Sequence, residues 1–292
     1  MKTAENLSLI AGTGACNAHC PFCVSKMTGL TEVGLHPQPI NWRNFEKAAL
    51  LAKDYHVSSV IITGKGEPTL FPNQITDYLT HLEKYNFPLI DLQTNGLNFD
   101  RQSERFDPYL HQWYDQGLAF VALSIVNFLP EDNRKIYTPS SKRHLDLPRI
   151  VDKLHQIGFS VRFSVTLFNG GIDNGEKTGR MIEFAQGLAV EQLTLRKIAL
   201  PSASASPEIG LWTQSHLLTQ GQQQEINRYL TDHGHQLSVS HHGAVIYDVS
   251  GQNICLTNAL TLDMDPEKIR QIIFYPNGRI RFDWQYSGST IL

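Results

Sequence analysis

The sequence predicts an α/β protein built as a partial (β/α)6 TIM-like barrel with a C-terminal β-rich extension. Three observations predict it. Short β-branched runs alternate with stretches of helical periodicity from residue 7 to about residue 200, which is the pattern of parallel βαβ units. Six such strands fall short of the eight that close a barrel. After a Pro/Ser/Ala stretch at 201–207 the helices thin out and short strands follow one another closely. The expected division is a core partial barrel over 1–200 and an extension over 201–292, one helix plus β-hairpins, packed on the barrel.

The elements follow in order. Leu7 to Ile10 is an apolar run that feeds directly into Gly12, Gly14 and a cysteine-rich loop. Asn41 precedes an amphipathic helix starting at Trp42, in the position of a capping residue. Ser58 to Ile62 is a strand ending in Thr63-Gly64-Lys65-Gly66-Glu67-Pro68, with a helix over Gln74 to Tyr85. Leu89 to Thr94 is a strand closed by Asn95-Gly96, Tyr109 to Asp115 a short helix, and Phe120 to Ile125 a strand. A helix over Leu147 to Ile157, a strand over Phe159 to Leu167, a helix over Lys177 to Gln186 and a strand over Leu193 to Ile198 complete the alternation. Beyond it come a helix at Gln222 to Tyr229 and short strands at Leu237 to Ser240, Ala244 to Val249, Ile272 to Tyr275 and Arg279 to Trp284, the last two joined by a Pro276-Asn277-Gly278 turn.

Bulk properties exclude little and suggest a setting. With 292 residues and 41% hydrophobic content the chain can bury a substantial core. The net charge of −3 gives no electrostatic reason to expect a nucleic acid or an anionic membrane as partner. No run approaches the roughly 18 apolar residues of a membrane span, and Met1 to Asn6 does not read as a signal peptide. A cytoplasmic location is expected.

Three of the four cysteines, Cys16, Cys20 and Cys23, lie in one loop, spaced by three and then two residues. Thiolates at such spacing in an intracellular chain indicate a metal rather than disulfides. Three is the informative number. An electron-transfer [4Fe–4S] cluster takes four cysteines and a structural zinc four protein ligands, so three leave a coordination position open, the arrangement of a metal that binds and activates a small molecule. A zinc site completed by His19 and a cluster of buried structural thiols are the other readings of the same residues.

The pattern CxxxCxxC with Phe22 before the last cysteine resembles the cluster loop of the radical S-adenosylmethionine (radical SAM) superfamily. The resemblance implies a [4Fe–4S] cluster on Cys16, Cys20 and Cys23, with S-adenosylmethionine (SAM) chelating the open iron and reductive cleavage producing a 5′-deoxyadenosyl radical that takes hydrogen from a substrate. It also implies a one-electron donor such as flavodoxin or ferredoxin. Other segments agree, each at the carboxyl end of a strand, where parallel α/β folds gather functional groups. Gly64-Lys65-Gly66-Glu67-Pro68 resembles the Gly-Gly-Glu-Pro motif that contacts the SAM amino group, with Lys65 standing where the family has glycine; read alone, it is an ordinary turn. Asn95 ends the third strand. Ser124 resembles a residue of the molybdenum-cofactor and viperin-like branch that contacts the SAM carboxylate or ribose.

On the fifth strand Arg162, Ser164 and Thr166 alternate with Val161, Phe163, Val165 and Leu167, which puts a polar face inside the barrel or, alternatively, on a solvent-facing edge. Arg162 and Ser164 stand at the Lys and Asn positions of a strand in the same branch. Arg196 on the sixth strand is suited to a carboxylate, a phosphate or a helix-facing ion pair. Gly64, Gly66, Glu67, Asn95, Ser124, Arg162, Ser164, Arg196 and Phe22 are therefore the candidate cofactor-binding residues.

Cys255 reads either as a small buried hydrophobe or as a hydrogen-atom donor of the kind radical SAM epimerases use. His233, His235, His241 and His242 read as a solvated loop rather than a metal site. No multi-cysteine auxiliary-cluster extension follows residue 200. The expected function is hydrogen abstraction from a small molecule such as a nucleotide, a sugar or a natural-product intermediate. A peptide-modifying enzyme using Cys255 and a non-catalytic metal-binding scaffold are the alternatives.

Overall fold

Alternation within single strands decides the architecture. In the strand Ser160–Leu167 every second residue, Val161, Phe163, Val165 and Leu167, is fully buried, while Arg162, Ser164 and Thr166 between them are only partly covered. Side chains of a strand leave opposite faces in turn, so one face of the sheet packs under helices and the other lines an interior that is polar. The computed structural model describes residues 3–29, 32–138, 140–142, 144–240, 242–260 and 269–292. His241 lies outside them.

The chain runs β1 (Ala4–Ile10), α1 (Val24–Met27), α2 (Trp42–Asp54), β2 (Ser59–Thr63), α3 (Pro72–Leu82), β3 (Leu89–Thr94), α4 (Leu97–Arg101), α5 (Ser103–Asp115), β4 (Phe120–Ile125), α6 (Pro130–Tyr137), α7 (Leu147–Ile157), β5 (Ser160–Leu167), α8 (Gly175–Gly187) and β6 (Gln192–Lys197). It continues through α9 (Pro207–Ser215), α10 (Gln220–His233), β7 (His235–Val239), β8 (Val245–Val249), β9 (Gln252–Asn258), β10 (Ile269–Phe274) and β11 (Ile280–Arg281). All strands join one open sheet in the order β11-β10-β1-β2-β3-β4-β5-β6-β9-β8-β7. The pairs from β10 through β1 to β6 and on to β9 are all parallel. The edge strands β11, β8 and β7 pair antiparallel.

The partial barrel with six strands in sequence order is as expected. Two strands of the C-terminal part add to it: β10 pairs with β1, and β9 pairs with β6. Strand β9 was not expected, and the Arg279–Trp284 strand shrinks to two residues. Helices α4 and α6 are likewise additions, and α5 begins six residues before the expected start at Tyr109, running through Pro108. Asn41 caps α2 as expected, its side chain accepting a hydrogen bond from the Asn44 N–H at 3.1 Å.

Ionised and amide side chains cross-link the amino-terminal end of the interior. Asp91 on β3 pairs with Arg162 on β5, whose Nε donates to Gln192 Oε1 on β6 at 2.7 Å. The Arg162 guanidinium also lies 5.4 Å from the centre of the Phe120 ring. These contacts join β3, β5 and β6 across the interior.

Candidate functional site

The loop between β1 and α1 carries the three clustered cysteines, and two anchors shape it. Phe22 is buried, its ring centre 5.7 Å from that of Phe168 and 5.9 Å from that of Trp212 on α9. The Ala205 N–H donates to the Met27 carbonyl at 2.7 Å, tying the segment before α9 to the end of α1. The second anchor is backbone on backbone. Glu67 N–H donates to the Ala15 carbonyl at 2.9 Å, and a Cβ at Gly66 would overlap that same carbonyl group. Only glycine lets the two loops approach this closely.

Glu67 organises what surrounds that contact. Its Oε1 accepts from the Thr69 N–H at 3.0 Å, the Thr69 hydroxyl at 2.7 Å and the Thr94 hydroxyl at 2.6 Å, and its Oε2 accepts from the Asn95 N–H at 2.9 Å. From Asn95 the bonds return through the cysteine loop. Asn95 Nδ2 donates to Asn17 Oδ1 at 2.7 Å, Asn17 Nδ2 to Asn98 Oδ1 at 3.1 Å, and Asn98 Nδ2 to Thr69 Oγ1 at 3.0 Å. The ring of bonds is closed and joins β2, β3, α4 and the cysteine loop. Burial pushes the Glu67 carboxyl above its ordinary range, while the bonds from Thr69, Thr94 and Asn95 pull the other way. The sequence expectation of an acceptor held out to an ammonium group meets a carboxylate already engaged by four donors.

A cavity of about 220 Å³ opens between the cysteine loop and the strand ends. It brings together Cys16, Cys20, Phe22 and Cys23 with Gly64, Gly66, Glu67, Asn95, Ser124 and Arg196, all expected from sequence. Arg162, Ser164 and Cys255 are not among its lining residues. Arg162 belongs to the cross-linked amino-terminal end. Ser164 faces the interior between Ser124 and Thr194 in the strand register. Cys255 stands on β9 beside Thr194, one step from Arg196, which pairs in register with Thr257. Burial pushes its thiol up, and Arg196, Arg162 and Arg270 oppose the shift.

Lys65, Gln93, Tyr137 and Thr166 also line the cavity; of these the sequence singled out Lys65, as a departure from the family's glycine, and Thr166, on the polar face of its strand, but not Gln93 or Tyr137. Lys65 is almost fully buried, with Nζ 2.9 Å from Thr28 Oγ1 and 5.1 Å from the centre of the Trp284 ring. Its burial draws the ammonium pKa down to about 8, with Cys23 acting in the opposite sense. For Gln93 the signal was present, since it alternates in phase with a residue already singled out near the end of its strand.

The donor set suits an iron–sulfur cluster with an open iron. All three cysteines are free, and burial pushes the Cys16 thiol up to about 11 and raises that of Cys20 as well, with Cys23 adding to both. Among the described residues no three His, Cys, Asp or Glu side chains converge on a single-ion position. A polynuclear cluster needs no such convergence, because each thiolate binds a different iron.

A model of the radical SAM superfamily matches residues 10–185. The probable dual-specificity RNA methyltransferase RlmN of Chlorobium phaeobacteroides (strain BS1) is 26% identical over 184 residues, covering 59% of this chain and 48% of that protein. The chain thus spans about half the length of this curated relative. Among solved structures, Streptococcus suis SuiB bound to S-adenosylmethionine aligns over 95% of this chain and 60% of that one, at 13% identity and a TM-score of 0.60. Methylornithine synthase (PylB) aligns over 90% and 74%, at 14% identity and a TM-score of 0.55. At such identities these structures show a shared fold.

Proposed function

Because the chain belongs to the radical SAM superfamily, we propose that Cys16, Cys20 and Cys23 hold a [4Fe–4S] cluster and that SAM fills the adjoining cavity at the iron they leave open. One observation carries the reading. The three cysteines, the Gly64–Gly66 backbone and the ends of β3 to β6 line a single cavity, although they come from segments spread over some 180 residues of the chain. Held by Cys16, Cys20 and Cys23, such a cluster would supply the electron for reductive cleavage of SAM beside it.

The chain's own residues do the positioning. The Glu67 ring fixes the cysteine loop against β3, so that Cys16 and the Gly64–Gly66 backbone keep their relation when a ligand enters. Asn95, Ser124 and Thr166 offer hydrogen-bonding groups along the cavity wall, and Phe22 and Tyr137 supply apolar surface that keeps water from the reacting atoms. The electron comes from a flavodoxin- or ferredoxin-like donor in a cytoplasmic setting. Residues 1–200 form the core, and 201–292 an extension that packs on it and holds α1 and the sheet edges.

Nothing further ties the chain to the molybdenum-cofactor and viperin-like branch. Of the residues that suggested it, Ser124 lines the cavity while Arg162 and Ser164 do not, and the RNA methyltransferase match favours a different branch. The same match removes the ground for excluding nucleic acid on net charge alone. A small molecule remains our preferred substrate, because the interior space is limited. A peptide substrate with Cys255 as hydrogen donor is the second reading, favoured by the position of Cys255 on an interior face among three arginines. No helix among the described residues is long and apolar enough to cross a membrane.

Anaerobic reconstitution tests the proposal. A [4Fe–4S] content of iron and sulfide, saturable SAM binding, and 5′-deoxyadenosine formed on reduction are expected. Failure to form the cluster, or SAM left intact under reduction, would make the chain a non-catalytic scaffold. If Cys255 donates hydrogen, Cys255→Ala should keep SAM cleavage and lose net turnover of a peptide.

A further inference from the structure

A second cavity of about 190 Å³ adjoins the first, deeper inside the sheet. The two share Val24, Ser25, Thr63, Gly64, Lys65, Gln93, Arg196 and Ala259, so an occupant of one touches the surroundings of the other. Among the described residues the charged groups lining the second are Lys65, Arg196, Arg270 and Asp283, and Arg270 feels the carboxylates of Glu5 and Asp283. Asp283 is engaged locally, its Oδ1 accepting from the N–H groups of Gln285 at 2.6 Å and Tyr286 at 3.1 Å.

Arg196 marks the place where this positive charge lacks an answer. Its Nε is buried without a hydrogen-bond partner. Its neighbours in the strand register are Thr166 and Thr257, which carry no charge. Burial and the nearby Arg270 draw its pKa down to about 10, the mark of a cation held in a poorly solvated place. Arg162 shows what this barrel does with an arginine that serves structure: it is paired with Asp91 and bonded to Gln192. Buried donors left without partners are rare and costly, so an arginine kept this way in a cavity calls for an anion that arrives from outside.

We propose that the second cavity is the substrate chamber and that it takes a small molecule bearing an oxyanion, a carboxylate or a phosphate, gripped by Arg196. The planar guanidinium presents paired N–H donors that match either group. Asn6, Gln93 and Gln271 stand by as amide partners for the remainder of the ligand. A space of about 190 Å³ suits a small anion such as a phosphate monoester or a short carboxylic acid. The proposal rests on the first cavity being the SAM site.

The test uses anaerobically reconstituted protein with SAM present, titrated calorimetrically at constant ionic strength with inorganic phosphate and, separately, with succinate. Saturable binding of one of them in the millimolar range is expected, and which one binds separates a phosphate ester from a carboxylic acid. Arg196→Gln should weaken that binding at least tenfold, and Arg196→Lys, which keeps the charge and loses the fork, should weaken it less. Protein that binds SAM but neither anion overturns the proposal and leaves the SAM reading standing. Protein that forms no cluster or binds no SAM overturns the reading beneath it. Should Arg196→Gln not fold, Arg196→Lys decides: anion affinity equal to wild type overturns the proposal. A variant that loses affinity for SAM while keeping the anion also overturns it, because Arg196 would then serve the SAM carboxylate.

Discussion

The cysteine loop and the end of β6 treat their polar atoms in opposite ways. Around the cysteine loop the carboxylate and amides are turned on one another, and the ring from Glu67 through Asn95, Asn17, Asn98 and Thr69 closes on itself. Arg196, which lines both cavities and faces the deeper one beside Arg270, keeps an Nε without partner. A satisfied network resists movement and gains little from a ligand, whereas an unsatisfied donor gains a great deal. The first arrangement is therefore suited to holding a cofactor site in shape and the second to recognising something that comes and goes.

The comparison breaks most completely at the cysteines. Cys16→Ser, Cys20→Ser and Cys23→Ser should each abolish the iron–sulfur absorption after anaerobic reconstitution while leaving far-UV circular dichroism unchanged. A full complement of iron in any of them would remove that residue from the ligand set. Next comes Gly66→Ala, which pushes a methyl group into the Ala15 carbonyl. A shift of backbone against backbone should lower the stability of the cluster-free protein by roughly 3 kcal/mol, at the upper end for overpacking. A midpoint of chemical denaturation unchanged from wild type would contradict the contact.

Inside the ring, Glu67→Gln places an amide where the carboxylate accepts four hydrogen bonds. In either orientation an NH2 group faces a donor, and a loss of about 2–3 kcal/mol is expected from the bonds to charge that fail. Asn17→Ala removes one accepted and one donated bond at a half-exposed position, for roughly 1 kcal/mol. The double variant should lose less than the two separate losses added together, since both act on one network. Simple additivity would show that the ring does not behave as a unit.

How much of this was legible in the sequence depends on the distance over which a signal acts. The cysteine loop, the strands β1 to β6 and the Asn41 cap are written locally, in spacing, alternation and a capping residue, and all were readable. Strand β9 was not, because Asn253-Ile254-Cys255-Leu256 is too short a run to be told from any buried segment. That β10 pairs with β1 is a relation between residues some 260 positions apart, which no local pattern encodes.

At the site the same division holds. Glu67, Asn95 and Arg196 were found from their places at strand ends, while Asn17, an unremarked residue between two cysteines, acquires its role only through Asn95 and Asn98. Alternation reports the face of Arg162 but not its partners: it is tied to Asp91 and Gln192, whereas Arg196 lines both cavities. Such partnerships between strands are not encoded locally.

Lys65, which like Arg196 lines both cavities, belongs to neither pattern: among the described residues its buried ammonium is bonded only to Thr28 and lies over Trp284. Burial draws its pKa from 10.5 down to about 8 in the folded chain. Below pH 8 the lysine is charged whether the chain is folded or not, and the folded state carries the full cost of burying it. Between pH 8 and 10.5 the folded state releases the proton first, the unfolded state binds more protons, and stability rises with pH. The full shift corresponds to roughly 3 kcal/mol, and solvent reaching the two cavities screens it, so a change of about 1 kcal/mol is expected. Lys65→Met should therefore be more stable than wild type at pH 7, with the gap closing between pH 8 and 10.5 in the cluster-free proteins. Both proteins should carry Cys23→Ser, which removes the thiol that acts on Lys65. A gap that stays constant or widens with pH would mean that the buried ammonium is already compensated, and Lys65 would then belong with the satisfied groups around Glu67.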